Sequence, residues 1–218
     1  MQAPAKGARR LHRPSALSPA RACYTSRVSL RAARLATFAD LLALGERAYH
    51  EILSGQLVEK AAPLPEHGLA QSALSRFIGG PFHHDDGRGG PGGWWILTEV
   101  EIELDAHEIV RPDLVGWRRE RLPMPWGQRP LRVVPDCVCE VLSPSHERRD
   151  RVYKSALYAR SGVSYYWLVA PGERLIEAFR LQEGAWLRLG AWQDNERARI
   201  APFDAIELEL DRLFPPLA

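Results

Sequence analysis

The chain has 218 residues, 45% of them hydrophobic and 26% charged, which is ordinary for a globular protein with one well-filled domain. No apolar run approaches the length that spans a bilayer, and this argues against an integral membrane protein. The three cysteines, two of them at 137 and 139, match neither a disulfide framework nor a zinc signature. They favour a reducing, cytoplasmic location.

Charge is distributed unevenly along the chain. Residues 1–36 contain eight Lys or Arg and no acid, whereas residues 37–218 contain 21 basic and 27 acidic residues, a net of −6. We interpret residues 1–36 as a basic, disordered leader and residues 37–218 as a single domain. The leader also resembles an organelle transit peptide, and its charge could attract nucleic acid. Any DNA contact by residues 37–218 needs a local basic patch.

The first half of the domain predicts two helices and a hairpin. "TFADLLAL" predicts a short helix with Thr37 as its N-cap, and "YHEILSGQLVEK" predicts a hairpin that turns at Ser54-Gly55. A second helix follows Pro65, and its apolar face is predicted to hold Leu69, Ala73, Leu74, Phe77 and Ile78. The Gly- and Pro-rich residues 79–93 predict a long loop.

The second half predicts mainly strands. Residues 94–105 and 107–117 each predict one strand, and the almost continuously apolar "LRVVPDCVCEVLS" predicts a central strand covered on both faces. A helix is expected from Ser145 to Gly162, followed by a meander with turns at 171–172 and 183–184. This order predicts one α/β (α+β) domain with a mixed sheet flanked by helices.

Two acids lie within apolar strand segments. Asp113 follows Pro112 in "IVRPDLVGW", and Glu140 lies in "CVCEVLS". A buried charge is costly unless it is paired or binds a metal. If the two strands are neighbours, both carboxylates could bind one divalent cation, for which Mg²⁺ is suited. Alternatively, Asp113 pairs with Arg111, and Glu140 pairs with an arginine of the following helix.

Lys154 lies on the helix that follows the Glu140 strand. It could form an exposed helical pair with Asp150, worth about 0.3–0.5 kcal/mol. If the lysine instead points inward, its ammonium could orient an attacking water or stabilise charge on a phosphate, and an amine with a lowered pKa could act as a general base. Two carboxylates and a lysine around a metal are suited to phosphodiester hydrolysis.

Several motifs together resemble the Uma-type restriction endonucleases of the PD-(D/E)XK nuclease superfamily. They are "PDLVGW", "VVPDCVCEVLSPS", a lysine on the next helix and "YARSGVSYYWLV", preceded by "YHEILSGQLVEKAAPLPEHGLAQSALS". The resemblance runs from about Thr37 to Phe214. It implies a restriction-endonuclease-like fold and Mg²⁺-dependent hydrolysis of DNA, with Mn²⁺ as a substitute for Mg²⁺.

The resemblance also implies a role for each matching residue. Asp113 matches the metal-binding Asp of the "PD" half of the motif, and Glu140 matches the second metal-binding carboxylate. The strict motif places its lysine at position 142, which is Leu142 here, so Lys154 matches the displaced lysine of this family. Glu51 matches an acid that completes the metal site. However, His50 separates Tyr49 from Glu51, where the family has the aromatic residue directly before the acid.

Other functions remain alternatives at this level. The chain could be a non-catalytic nucleic-acid-binding or interaction module on a nuclease scaffold, which the net charge of −6 favours. A carboxylate-pair glycosidase is a third alternative, and the substrate could be RNA rather than DNA. Double-strand cutters often act as homodimers, but no sequence feature marks a dimer face. His83-His84-Asp85-Asp86 could bind a metal or be solvated loop residues, and His67 could approach the site or cap its helix.

Overall fold

A six-stranded mixed sheet lies at the centre of the computed structural model, which describes residues 34–45, 48–83 and 90–216. The predicted leader therefore lies outside the described residues, except for residues 34–36. The helices are α1 (Phe38–Ala43), α2 (Pro65–His83), a π-helical segment (Arg149–Lys154) and α3 (Ser155–Ser161), with 3₁₀ turns at Pro171–Glu173 and Leu210–Arg212. The strands are β1 (His50–Leu53), β2 (Gln56–Glu59), β3 (Trp94–Leu97), β4 (Ile102–Asp105), β5 (Glu108–Val110), β6 (Leu114–Arg118), β7 (Cys137–Val141), β8 (Tyr165–Ala170), β9 (Leu175–Gln182), β10 (Ala185–Gln193), β11 (Arg197–Ala198) and β12 (Leu208–Glu209).

The strand order of the main sheet is β10-β9-β8-β7-β6-β3. Strands β7 and β8 are parallel, and every other neighbouring pair in this sheet is antiparallel. A parallel pair needs a long crossover connection, which the π-helical segment and α3 provide here. A second, antiparallel sheet has the order β2-β1-β5-β4, and β11 pairs with β12. The predicted mixed sheet with flanking helices is confirmed.

Strand β7 is buried along its whole length, as predicted for the central strand. Its odd-numbered residues Cys137, Cys139 and Val141 belong to one apolar core, which includes α2. Val138 belongs to a second core, which includes α3. Because side chains alternate across a strand, Glu140 points to the same side as Val138. The acid therefore lies beside the core that contains α3.

Helix α2 continues beyond its predicted end. The sequence predicts a loop from residue 79, but the helix runs to His83, and the remaining loop residues 84–89 lie outside the described part of the chain. Phe82 is buried one turn after Ile78 and packs on Phe203, with 4.9 Å between ring centroids. Tertiary packing therefore outweighs the low helix propensity of this segment. Leu69, predicted to be on the buried face, is 40% exposed.

Each of the two long strands predicted between residues 94 and 117 is divided into two. The first becomes β3 in the main sheet and β4 in the second sheet. Glu99 lies between them with a left-handed φ of 57°, a conformation that interrupts a strand. The second is interrupted before β6, where Pro112 lacks the N–H that a sheet ladder requires. Glu99 lies in the first interruption and Asp113 in the second. Both acids pair with Lys60, which directly follows β2 of the second sheet.

The remaining predictions differ from the structure at two elements. The central strand, predicted from Leu131, begins only at Cys137, because Pro135 lacks the N–H that a sheet ladder requires. The predicted regular helix after β7 contains a π-helical segment before α3, and α3 ends at Gly162 in the left-handed conformation, as predicted. The hairpin turns at 54–55 and 183–184 are also confirmed. Within the described ranges, none of the helices has the length and apolar character needed to cross a membrane.

Candidate active site

A small cavity lies between the main sheet and the second sheet, next to the π-helical segment. Its lining includes Glu51 of β1, Asp113 before β6, Glu140 of β7 and Lys154 at the end of the π-helical segment. All four side chains are no more than 2% exposed. The cavity volume is about 30 Å³, which is enough to hold at least one water molecule. The structure therefore brings together all four site residues that the sequence predicted.

Lys154 connects three of the carboxylates. Its Nζ lies 2.8 Å from Glu51 Oε1, 3.1 Å from Glu140 Oε1 and 3.7 Å from Asp150 Oδ1. The π-helical segment contains both Asp150 and Lys154, and both are buried. Such wider turns often occur at functional sites. The inward orientation of Lys154 is confirmed, and the alternative of an exposed Asp150–Lys154 pair is wrong.

Asp113 is held by two side chains and a backbone donor. Lys60 Nζ lies 2.7 Å from Asp113 Oδ1, and His67 Nε2 lies 3.3 Å from the same oxygen. The backbone N–H of Val141 donates to Asp113 Oδ2 at 2.7 Å, which ties the acid to β7. Arg111 instead pairs with Glu101, at 2.6 Å. The alternative in which Asp113 pairs with Arg111 is therefore wrong.

Glu140 is held on one oxygen only. Its Oε1 accepts hydrogen bonds from Tyr158 at 2.5 Å and from Lys154 at 3.1 Å, rather than from an arginine of the following helix. No group in the described part of the chain donates to Glu140 Oε2. Glu51 shows the same asymmetry, because its Oε1 accepts from the Arg111 backbone N–H at 2.8 Å while its buried Oε2 has no partner among the described residues. Two carboxylate oxygens are thus available for a further ligand.

The acids of the site differ in acidity. Burial raises the pKa of Glu140 to about 8, with Lys154 opposing that rise, and burial raises the pKa of Asp150 to about 6. Burial also disfavours ionised Asp113, but the hydrogen bond to His67 and the charge of Lys60 outweigh it and hold the pKa below its usual value. The site thus combines an acid that readily binds a proton with one that stays ionised.

Lys154 is held in its charged form. Burial by itself would lower the pKa of this amine, but the neighbouring Glu140, Glu51 and Asp150 carboxylates outweigh burial and raise it above its usual value. A protonated amine has no lone pair with which to accept a proton. The general-base alternative for Lys154 is therefore disfavoured, and the ammonium is suited to orienting water or stabilising negative charge.

The donor set is chemically suited to Mg²⁺, which prefers oxygen ligands and is usually held by one or two carboxylates. Asp113 and Glu140 both line the cavity, and the unpaired Oε2 of buried Glu51 is a third oxygen donor. In the described ranges, no group of three or more Asp, Glu, His or Cys side chains is arranged as a ready-made metal site. In the present arrangement these carboxylates instead pair with lysine ammonium groups.

Sequence reasoning missed two members of the site. Lys60 directly follows the largely exposed strand β2 and reads as an ordinary surface lysine, so no sequence signal distinguishes it. In the structure its Nζ also donates to Glu99 Oε2 at 2.9 Å and to the Arg111 carbonyl at 2.8 Å. Tyr158 could have been found, because it lies four residues after Lys154 and therefore on the same helix face.

The two histidine alternatives have different outcomes. His67 approaches the site through its contact with Asp113 and lines the cavity. His83 lies beside β3, where its Nδ1 accepts a hydrogen bond from the Ile96 backbone N–H at 3.2 Å. The other residues of that group, 84–86, lie outside the described part of the chain.

Comparison with known structures supports this fold. A crystal structure from Anabaena variabilis, described as "a putative nuclease belonging to DUF820", matches with a TM-score of 0.62 at 18% identity. The match covers 81% of this chain and 96% of that chain. The restriction-endonuclease-like fold predicted from the sequence is thereby confirmed. A search of curated proteins finds no significant match.

The sequence profile of one family extends over most of the chain. The Uma2 profile, described as "Putative restriction endonuclease", matches residues 35–211 of the 218 residues. This range contains Glu51, Asp113, Glu140 and Lys154. The chain therefore belongs to the Uma2 family, as the sequence motifs predicted.

Proposed function

We propose that this protein is a metal-dependent endonuclease that hydrolyses DNA phosphodiester bonds. The observation that carries the proposal is the small cavity in which a protonated lysine lies between buried carboxylates, with Lys154 Nζ within 3.1 Å of both Glu51 and Glu140. Burying this many ionisable groups is costly for folding, and such clusters in a cavity are typical of functional sites. Membership of a nuclease family points to the same chemistry.

In this proposal each residue has a distinct role. Asp113 and Glu140 hold Mg²⁺ or Mn²⁺, and Glu51 assists through a direct or water-bridged contact. A bound cation would polarise the phosphate and lower the pKa of a bound water. Lys154 orients the attacking water and stabilises the negative charge that develops on the phosphate. Tyr158 fixes the Glu140 carboxylate through its hydrogen bond.

The mouth of the cavity offers groups that could position a phosphate. Arg149, His146 and Ser143 line it, and all three side chains are partly exposed. The Arg149 side chain makes no ion pair or hydrogen bond within the described residues. A guanidinium group binds phosphate oxygens well, and phosphate contacts set the register of a nucleic acid on a protein. Arg149 is thus one local cation at the mouth of the cavity in a domain of net charge −6.

A non-catalytic nucleic-acid-binding module is the second candidate. The net charge of −6 over residues 37–218 favours it, because a DNA-cleaving enzyme usually has a broad basic groove. The two candidates differ in one measurable property, since only the enzyme requires Glu140 for bond cleavage.

The test is cleavage of supercoiled plasmid with Mg²⁺ or Mn²⁺ by the wild type and by Glu140→Gln. The matched control is Glu183→Gln, an exposed acid in the β9–β10 turn. We expect nicking or linearisation by the wild type and the control, and none by Glu140→Gln or with EDTA. Equal cleavage by all three proteins would indicate a contaminating nuclease and contradict the proposal. DNA binding without cleavage by the wild type would favour the binding module.

A further inference from the structure

A second cavity lies beside the candidate active site. Its volume is about 360 Å³, which is in the range of small-molecule sites. Leu97, Val100, Pro125 and Leu131 form its apolar wall. The cavity is thus a large, mainly apolar space next to a small, charged one.

Trp126 is the aromatic residue of this cavity, and it is 56% exposed. It lies against Trp95 in an edge-to-face arrangement, with 5.1 Å between ring centroids and 69° between ring planes. One edge-to-face neighbour covers at most one face of an indole. Trp126 therefore offers a supported, solvent-accessible aromatic surface, and such surfaces stack nucleobases.

Polar groups at one side of the cavity suit the edge of a base. Arg111 lines the cavity, and its buried Nε has no hydrogen-bond partner among the described residues. Arginine donors recognise the acceptor atoms of guanine. Two further lining residues, Glu99 and Glu101, are acids whose charge is compensated by Lys60 and by Arg111 and Arg129. Because the lining charges balance, the exposed Trp126 ring is the dominant feature of the cavity, and it favours an aromatic base over the sugar-phosphate backbone.

The two cavities share a wall. Lys60 lines the active-site cavity, and its Nζ binds Glu99 Oε2 at 2.9 Å and the Arg111 carbonyl at 2.8 Å. Both partners line the second cavity. In addition, the Arg111 backbone N–H donates to Glu51. A base held against Trp126 would therefore lie close to a phosphate at the active site.

We propose that this second cavity binds a nucleobase of the DNA substrate, stacked on Trp126 and contacted at its edge by Arg111. The inference rests on the proposed nuclease function and adds a site of base recognition to it. In this arrangement Lys60 and Arg111 connect the base to the catalytic carboxylates. The cavity then positions the DNA strand for cleavage and gives the enzyme a preference among bases at that position.

The experiment measures binding of dye-labelled single-stranded DNA by fluorescence anisotropy, in EDTA so that no cleavage occurs. Trp126→Ala should weaken binding by roughly 5- to 150-fold, the usual loss for one stacked base, and Trp126→Phe should weaken it less. The matched control is Met124→Ala, a neighbouring residue that is 61% exposed and does not line the cavity. This variant should bind like the wild type. Circular dichroism checks the fold of each variant.

An abasic scan identifies the base itself. One abasic position in the DNA should weaken wild-type binding about as much as Trp126→Ala does, and the same position should cause no further loss in that variant. Equal DNA affinity of the wild type and Trp126→Ala would overturn the inference and leave the nuclease proposal intact. Equal losses at every abasic position in both proteins would also overturn it. Absence of DNA binding by the wild type in EDTA would overturn the inference, whereas the nuclease proposal is tested separately by plasmid cleavage with Mg²⁺ or Mn²⁺.

Discussion

Lys154 is the residue on which the buried carboxylates depend. Its ammonium group contacts Glu51, Glu140 and Asp150, and the four side chains lie in the interior. Removing one partner of a buried ion pair leaves an uncompensated charge and costs about 3–5 kcal/mol. We expect Lys154→Met to lower the free energy of unfolding by this amount, measured by urea denaturation. Adding Glu140→Gln should recover part of the loss, because one of the uncompensated acids is then neutral.

An exposed ion pair provides the control for that measurement. Arg188 pairs with Glu177 on β9 and is 54% exposed, so Arg188→Met should cost less than about 1 kcal/mol. Similar losses in Lys154→Met and Arg188→Met would contradict the assignment of a special buried network to Lys154.

Glu101 contributes to the pH dependence of folding stability. Burial disfavours its ionised form, but hydrogen bonds from Arg129 and Arg111 outweigh burial and lower its pKa from the usual 4.5. A lowered folded-state pKa stabilises the fold above the unfolded-state value, and this contribution is lost as the pH falls through the folded value. We expect the wild type to have a higher Tm than Glu101→Gln at pH 7 and the gap to shrink below about pH 4.5. A gap that is constant from pH 7 to pH 3 would contradict this.

Single-residue chemistry also explains which site residues could be predicted. Asp113 and Glu140 are conspicuous because a charge within an apolar strand is costly, and Lys154 follows from their need for a counter-charge. Lys60 could not be found in this way, because it follows a strand whose other residues are largely exposed. Its burial arises only when the β1–β2 hairpin packs against the loop that carries Asp113.

At the scale of elements, the π-helical segment determines where Lys154 and Asp150 point. Tyr153 ties this segment to the second sheet, since its hydroxyl donates to Glu108 at 2.7 and 2.8 Å and lies 2.9 Å from Ser54 Oγ. We expect Tyr153→Phe to destabilise the segment by about 1–3 kcal/mol, because the buried Glu108 carboxylate loses a donor. Hydrogen exchange of residues 149–161 should become faster.

The control for this variant is Tyr165→Phe. The Tyr165 hydroxyl makes no hydrogen bond within the described part of the chain, so exchange of residues 149–161 should not change. Unchanged exchange in both variants would show that the Tyr153 hydroxyl does not hold the segment in place.

The π-helical segment also shows which features of helices and strands the sequence pattern does not predict. The 3.6-residue period and Gly162 correctly place a helix after β7, but they do not predict the wider π-helical turns, in which Tyr153 contacts Glu108 of the second sheet. The split of residues 94–105 into β3 and β4 has a similar origin. Apolar residues predict that each part is a strand, whereas the left-handed φ of Glu99 and its ion pair with Lys60 place the parts in different sheets.

At the scale of the whole molecule, the candidate site lies between the main sheet and the second sheet. Glu140 belongs to β7 of the main sheet, Lys154 to the π-helical segment that follows it, and Glu51 to β1 of the second sheet. A ligand that binds between the two sheets should therefore raise the free energy of unfolding of the whole domain. A ligand that binds only the native state raises stability by RT ln(1 + [L]/Kd).

Thermal unfolding in the presence of divalent cations tests this coupling without relying on DNA cleavage. At 100 times Kd we expect Mg²⁺ or Mn²⁺ to stabilise the wild type by about 2.7 kcal/mol, which corresponds to a Tm rise of roughly 5–11 °C. Asp113→Asn and Glu140→Gln should lose most of this rise because each removes a carboxylate that would hold the cation, whereas Glu183→Gln should keep it. An equal rise in all four proteins would place the cation elsewhere. No rise in the wild type would contradict the metal-dependent mechanism, because the buried carboxylates would then be serving only as partners of Lys60 and Lys154.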